Sequence, residues 1–316
     1  MSTPTLEQYR GAIYGLAIGD ALGWPKEGTG PVHVDGPVSD LPDPALYTDD
    51  TQMSLALARA LLRAGDDSHE TLMQAVAEEF VAWGMSLDNN RAPGATCMRA
   101  IGRLRAGAPW AEAGIASSKG CGTAMRTAPV GLYYHGNDDQ LRDVARDSSR
   151  ITHGHTCALA GGIATAFLVS RALDREDPSR MPAQLLEFAG GLCTEFDERI
   201  RQMQSLPLTG DPLPHCRTLG QGWVAEEAVA LALYCFVRTP EDYRATVVAG
   251  ANIEGDSDSV ACIAGAISGA YNGERSLPPD WIRRIEDSDY LGQVAELLHA
   301  AWRQRHHIPS LGGDQS

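Results

Sequence analysis

The chain has 316 residues, of which 43% are hydrophobic and 21% charged. That excludes an intrinsically disordered protein and is enough for one large domain or two ordinary ones. The formal net charge of −15 comes with only short basic patches, not the basic face a nucleic-acid binder normally shows, and it suits solubility and the concentration of divalent cations. Ala and Gly dominate the apolar runs and Phe is scarce at 5 residues, a composition of closely packed helices rather than strands.

Cysteines stand at 97, 121, 157, 193, 216, 235 and 262, with no Cys-x-x-Cys and no close pairing. This odd, scattered set is expected to be reduced, in a cytoplasmic protein. The N-terminus shows no basic region followed by an apolar core. The longest uncharged apolar stretch, Cys157 to Val169, is too short for a bilayer span and reads as a buried helix, so no membrane is expected.

In chain order, Gly11 to Gly23 is apolar with small residues at close spacing, as a tightly packed inner helix requires. Asp20 is its only acid, and a carboxylate there must be paired, neutral or bound to something. Trp24 to Pro44, with prolines at 25, 31, 37, 42 and 44, is a long loop that carries Glu27. Thr48-Asp49-Asp50-Thr51 precedes an apolar-periodic helix reaching Ala64, and either Thr48 or Asp49 is suited to cap it. Glu70 to Met85 is a further helix, Asp88 to Gly94 a turn, and Ala95 to Ala106 another helix.

Lys119 to Arg126 is a glycine-bearing loop leading into a helix, a place where exposed amides receive anions. It lacks both the dinucleotide fingerprint and the P-loop ending. Leu141 to Thr152 and Cys157 to Leu173 read as helices on either side of His153-Gly154-His155. These histidines have no companion cysteine or acid at zinc-ligand spacing, which leaves structural or substrate-binding roles. Gln184 to Leu206 continues the helical pattern, and Pro207 to Gly222 forms a second long loop. Trp223 to Val237, Tyr243 to Ala251, Val260 to Tyr271 and Tyr290 to Arg305 complete about a dozen helices. With no repeat, linker or strand series, the expected fold is all-α: one domain over residues 1–309 and a polar tail over 310–316.

A second acidic cluster, Gly255-Asp256-Ser257-Asp258-Ser259, repeats the pattern of the first some 200 residues on, again just before an apolar helix. Oxygen donors alone suit Mg²⁺, Mn²⁺ or Ca²⁺ rather than zinc. Four carboxylates, Asp49, Asp50, Asp256 and Asp258, are balanced by two divalent ions, whereas one ion would leave repulsion that raises a pKa. An EF-hand is excluded by register, because Ala261 and Ile267 occupy its glycine and bidentate-acid positions.

Taken together, Gly19-Asp20-Ala21-Leu22-Gly23 with Glu27, then Thr48-Asp49-Asp50-Thr51, then Gly255-Asp256-Ser257-Asp258-Ser259 resemble the ADP-ribosylglycohydrolases. That family includes the dinitrogenase-reductase-activating glycohydrolase and the ADP-ribosyl-acceptor hydrolases. Met125-Arg126 with Ala128-Pro129, Thr152-His153-Gly154-His155 and Trp223 to Ala228 match as well, in family order from about residue 10 to 273.

The resemblance implies a single compact multi-helix domain with two Mg²⁺ or Mn²⁺ ions at its centre, held by Thr48, Asp49, Asp50, Asp256, Asp258 and Ser259. It implies Glu27 as the catalytic lid carboxylate. Gly94, Thr96, Gly120, Cys121, Gly122, Thr123, Met125, Arg126 and His153 would form the substrate-binding wall. The implied reaction is hydrolysis of the glycosidic bond between ADP-ribose and an acceptor. The implied acceptor is a protein side chain such as arginine or serine, or a small molecule, and a nucleic-acid acceptor stays open.

Members acting on ADP-ribosyl-arginine tend to carry Asp-x-Gly-x-Thr where this chain has Ala92-Pro93-Gly94-Ala95-Thr96, and Asp88 or Arg91 are candidates to compensate in part for the missing acid. Cys121 stands where many members have Asn. Two other readings remain: a non-catalytic ADP-ribose-binding or crystallin-like structural member, and a two-metal phosphohydrolase that cuts the pyrophosphate.

Overall fold

A computed structural model describes residues 3–28 and 36–308. The expected tail over 310–316 and part of the first long loop lie outside the described residues.

Helices α1 (Leu6–Gly23) and α2 (Asp49–Ala64) are followed by α3 (His69–Gly84), α4 (Ala95–Arg105) and the short α5 (Trp110–Ala113). Next come α6 (Ala128–Tyr133), α7 (Asp138–Arg150), α8 (Thr156–Leu173), α9 (Met181–Ala189) and α10 (Thr194–Gln204). The chain then runs through α11 (Leu213–Leu219), α12 (Ala225–Arg238), α13 (Tyr243–Ala251), α14 (Ser257–Asn272), α15 (Pro279–Arg284) and α16 (Ser288–Arg305). Apart from 3-10 turns such as Cys121–Arg126, the described residues hold only isolated β-bridges. The all-α expectation therefore holds.

The centre of the fold is an antiparallel pair, α1 against α14, packed backbone to backbone. A Cβ on Gly11, Gly15, Gly19 or Gly23 would collide with the carbonyls of Gly269, Gly265, Ala261 and Ser257 respectively. These pairs step four residues along α1 and four back along α14, so one face of each helix is kept nearly bare to admit the other. The seam sets the register that brings the end of α1 to the start of α14. There the Ser257 hydroxyl donates to the Gly23 carbonyl at 2.9 Å, and the Gly28 amide donates to Gly255 at 2.8 Å.

α8 and α12 pack around this pair. Thr156–Leu173 is long and apolar enough to cross a membrane, yet almost all of it is buried inside the protein. It is the inner helix expected from Cys157 to Val169.

The second half departs from expectation in two places. Gln184 to Leu206 is two helices, because Gly190-Gly191 interrupts it and Gly191 adopts φ +85°. The Pro207 to Gly222 loop contains α11, whose proline lies in the first turn, where it needs no amide. The cysteine expectation also needs one correction. Cys157 and Cys193, 36 residues apart, are joined by a disulfide, while the other five cysteines are free thiols. The two halves of that pair come from the starts of separate helices, a proximity that linear spacing does not show.

Candidate functional site

Asp20 builds the first half of the site. Thr48 is the N-cap residue of α2, but its side chain makes no cap bond. The cap comes instead from α1. Asp20 Oδ2 accepts the Thr51 amide at 3.0 Å and the Thr51 hydroxyl at 2.6 Å. Asp20 Oδ1 accepts the Thr48 hydroxyl at 2.8 Å, and the Thr48 amide lies 3.0 Å from both oxygens. Burial pushes the Asp20 carboxyl up to about 6, and these donors pull against that rise. Relieved of capping, Asp49 and Asp50 in the first turn of α2 are turned elsewhere.

They face a cavity of ≈ 250 Å³. Its lining includes Asp49, Asp50, Asp256, Asp258 and Ser259 from the two helix starts, and Glu27 from the turn after α1. Asp20, Asp50 and Asp258 place carboxylate oxygens within 4.8 Å of one another, as do Glu27, Asp256 and Asp258. Asp258 is common to both groups, so the carboxylates form one continuous cluster.

Asp49 Oδ2 accepts the Gly94 amide at 2.9 Å. The Thr48 hydroxyl lies 3.2 Å from Asp50 Oδ2 and the Ser259 hydroxyl also bears on this carboxylate, while among the described residues its buried Oδ1 has no hydrogen-bond partner. Burial, then the neighbouring acids, hold Asp50 and Asp258 well above the ordinary carboxylate range, and burial does the same for Asp49. Half-buried Glu27 is pushed up to about 7 by burial and by the charges of Asp256 and Asp20. A buried oxygen without a donor, among acids that all resist ionisation, is the environment a hard divalent cation satisfies. The candidate ligands are carboxylate and hydroxyl oxygens, with the Cys121 thiol donating to Asp256 Oδ2 at 2.7 Å beside them, so the residues fit such ions.

The same lining includes Gly94, Thr96, Gly120, Cys121, Gly122, Met125 and His153, the candidates for a substrate-binding wall. It also holds Ala92, Ala95, Cys97 and Trp223, which the motifs did not single out as wall residues. Trp223, exposed and aromatic beside an acidic turn, carried the signal that could have found it.

The wall is fastened by main-chain bonds. Cys121 donates its amide to Trp223 at 3.2 Å and Ala225 donates to Lys119 at 2.9 Å. Lys119 in turn pairs with Glu226 at the start of α12. Gly120 and Gly122 allow His153 to pack behind the loop, since a Cβ there would lie 3.1 Å from Nε2 and 3.0 Å from Cε1 respectively.

Burial, and then Arg126 and Arg99, lower His153 to about 3, so it is neutral. Arg126 Nη2 donates to the Thr152 hydroxyl at 2.7 Å, and that hydroxyl meets His153 Nδ1 at 2.8 Å. Assigned from this network, Nδ1 accepts and Nε2–H faces the loop glycines as a donor.

Three expected site residues lie behind the lining rather than on it. Thr48 has one hydroxyl proton, which the shorter contact directs to Asp20 at 2.8 Å with Asp50 next at 3.2 Å, and its lone pairs stay available to a cation. Thr123 donates to the Ala158 carbonyl at 2.6 Å. Arg126 is fully buried, stacked 4.5 Å over Phe80 and bonded to the Ser148 carbonyl at 3.1 Å. A motif fixes a residue's place in the chain but not the direction of its side chain. Asp88 and Arg91 do not replace the acid missing at Ala92. Arg91 pairs with Glu286 at 2.6 Å, and Asp88 accepts from Ser86 at 3.1 Å.

The chain as a whole is similar to known proteins. The sequence model of the ADP-ribosylglycohydrolases matches residues 1–307, and the chain belongs to that family. It is 32% identical over 304 residues to an uncharacterized protein of Archaeoglobus fulgidus, covering 93% of this chain and 96% of that one. It is 28% identical to ADP-ribosylhydrolase ARH3 of Bos taurus, covering 95% and 94% of the two chains. A solved structure described as an ADP-ribosylglycohydrolase-related protein complex superposes with a TM-score of 0.77 at 28% identity, covering 94% and 98%.

Proposed function

We propose that this protein is a divalent-cation-dependent hydrolase that releases ADP-ribose from an ADP-ribosylated acceptor. The observation that carries the reading is the partnerless buried Asp50 Oδ1 within a cluster of five acids. Family membership and the ARH3 relatives point to ADP-ribose as the group transferred to water. Asp49, Asp50, Asp256 and Asp258 would hold two Mg²⁺ or Mn²⁺ ions, with hydroxyl donors from Thr48 and Ser259. When bound, the ions supply Lewis acidity and a template for the ribose hydroxyls.

The chain's own residues do the rest. Carboxylates close to the anomeric carbon stabilise the positive charge that grows there as the glycosidic bond breaks. Glu27 is half-buried on the cavity lining, with its carboxylate close to those of Asp256 and Asp258. It is therefore able to pass a proton between water and the departing acceptor. His153 Nε2–H and the Gly120 to Gly122 backbone form the wall that positions the ADP-ribose, with Gly94, Thr96 and Met125 alongside. Thr123 and Arg126 hold that wall in place from behind. The acceptor would be a protein side chain such as arginine or serine, a small molecule, or a nucleic-acid end.

The test is product identity. ADP-ribosyl-arginine, ADP-ribosyl-serine and an ADP-ribosylated nucleic-acid end are incubated with the protein and Mg²⁺ or Mn²⁺, and products are followed by mass. Free ADP-ribose from at least one substrate supports the proposal. AMP would show pyrophosphate cleavage instead, and no product from any linkage would indicate a non-catalytic member.

A further inference from the structure

A cluster of different chemistry lies behind the substrate wall. His155, Cys157 and Cys193 bring one nitrogen and two sulfurs within 4.8 Å of one another. Glu195 adds a fourth donor, its Oε2 lying 3.2 Å from Cys193 Sγ and 3.7 Å from Cys157 Sγ. Sequence spacing offers the histidines no companions, yet the fold supplies two sulfurs and an acid from α8 and α10.

We propose that, with the disulfide reduced, these four residues form a structural zinc site separate from the acidic cluster. Two thiolates, an imidazole and a carboxylate are a tetrahedral zinc donor set, whereas the oxygen ligands of the acidic cluster suit harder ions. The Cα atoms of Cys157 and Cys193 are 5.1 Å apart. That spacing serves a disulfide, and with side-chain rotation it also serves two thiolates about 3.8 Å apart on one ion.

Both sulfurs lie at helix starts. Cys157 is in the first turn of α8, Cys193 is the N-cap residue of α10, and Glu195 is in the first turn of α10. The positive ends of two helices favour thiolate over thiol at this point. His155 Nδ1 now accepts the Cys157 amide at 3.2 Å, a bond the same lone pair would give up for the metal. Exposed Glu195 leaves a route in from solvent.

The two states interconvert in balance. A phosphine reductant gives two electrons to the disulfide and leaves as its oxide with the oxygen of one water, and the two protons of that water complete two thiols. Zinc then displaces those two protons. The bound ion would tie the start of α10 to the turn behind the substrate wall. That turn already donates from His155 to the Ser118 carbonyl at 3.3 Å and from Gly154 to Ile115 at 3.0 Å.

The test uses the full chain, reduced with a phosphine, stripped with chelator, and titrated with Co²⁺ in excess Mg²⁺ to keep the acidic cluster filled. One Co²⁺ per chain with thiolate-to-cobalt charge transfer is expected, and Zn²⁺ should displace it. The band should persist in Cys121→Ser, the other thiol near a metal-binding group. It should vanish in Cys157→Ser and Cys193→Ser and after oxidation to the disulfide. Should either serine variant fail to fold, exposed Glu195→Gln provides the check, with affinity lowered by roughly tenfold or more. A reduced wild-type chain without the band, or a band that survives both serine substitutions, would overturn the proposal.

Discussion

The Thr51 hydroxyl donates to Asp20 at 2.6 Å, so the first acidic helix is capped by a carboxylate from another helix. This division of labour lets Asp49 and Asp50 face the cavity while their helix start stays satisfied. Asp20→Asn places an amide group against the amides of Thr48 and Thr51, which cannot turn away. The variant should lose about 2–4 kcal/mol in chemical denaturation. It should also bind divalent cations more weakly, because the α2 start is no longer held. A stability equal to wild type would show that the cap is not essential.

The glycine seam yields a paired prediction. Gly265→Val drives a side chain into the Gly15 carbonyl and should cost about 3 kcal/mol. Gly102, exposed in α4 with nothing within 4 Å of an added methyl, is the contrast. Gly102→Ala should stabilise by about 0.5–1 kcal/mol through its helix propensity. Melting temperatures of the two variants check both signs.

Much of the site was legible because its signals are local. Carboxylates and hydroxyls directly before an apolar helix can be read wherever they occur, and two such starts with −4 of charge already called for cations. What was not legible depends on residues distant in sequence. Nothing near Gly15 shows that Gly265 is its partner, and nothing near His155 shows that Cys193 and Glu195 arrive beside it. Arg126 was expected on the wall because its motif matches, but burial against Phe80 is decided by packing. The break between α9 and α10 needed the left-handed conformation of Gly191, which composition alone does not reveal.

Stability should depend on pH differently with and without cations. Without them, the carboxyls of Asp20 and Glu27 sit at about 6 and about 7, above their ordinary 3.8 and 4.5. A raised folded-state value stabilises fully below the unfolded value and is lost as pH rises through the folded one. Cation-free protein should therefore lose this contribution between about pH 4 and pH 8. Bound cations favour the ionised forms, so the melting-temperature gain from Mg²⁺ or Mn²⁺ should grow over the same range.

Burial lowers His135 and His153 to about 4 and about 3, from an ordinary 6.5. Their contribution is lost as pH falls below 6.5, whether or not cations are bound. The difference between the two forms thus isolates the carboxylates. A cation-induced gain that is flat with pH would contradict the assignment.

Glu27→Gln removes the ionisable group but keeps its size. Binding of ADP-ribose, measured by calorimetry, should stay near wild type while turnover falls by about a hundredfold or more. Full activity in this variant would remove Glu27 from the chemistry.

Ala92 lines the cavity with φ 48°, a conformation that Asp tolerates better than Ala. Ala92→Asp should fold as wild type does and place a carboxylate on the cavity lining, where the resemblance associates an acid with action on arginine. Turnover of ADP-ribosyl-arginine relative to ADP-ribosyl-serine should rise roughly tenfold, about 1.4 kcal/mol in transition-state preference. An unchanged ratio would place acceptor choice elsewhere.

The most direct measurement is release of ADP-ribose before chelation, after chelation, and after Mg²⁺ or Mn²⁺ is restored, in wild type and in Asp49→Ala. Wild-type activity should vanish with chelator and return with the cation. Asp49→Ala should stay inactive throughout while keeping its helical circular dichroism. Release that continues in chelator, or an active Asp49→Ala, would contradict a cation-dependent hydrolase centred on these carboxylates.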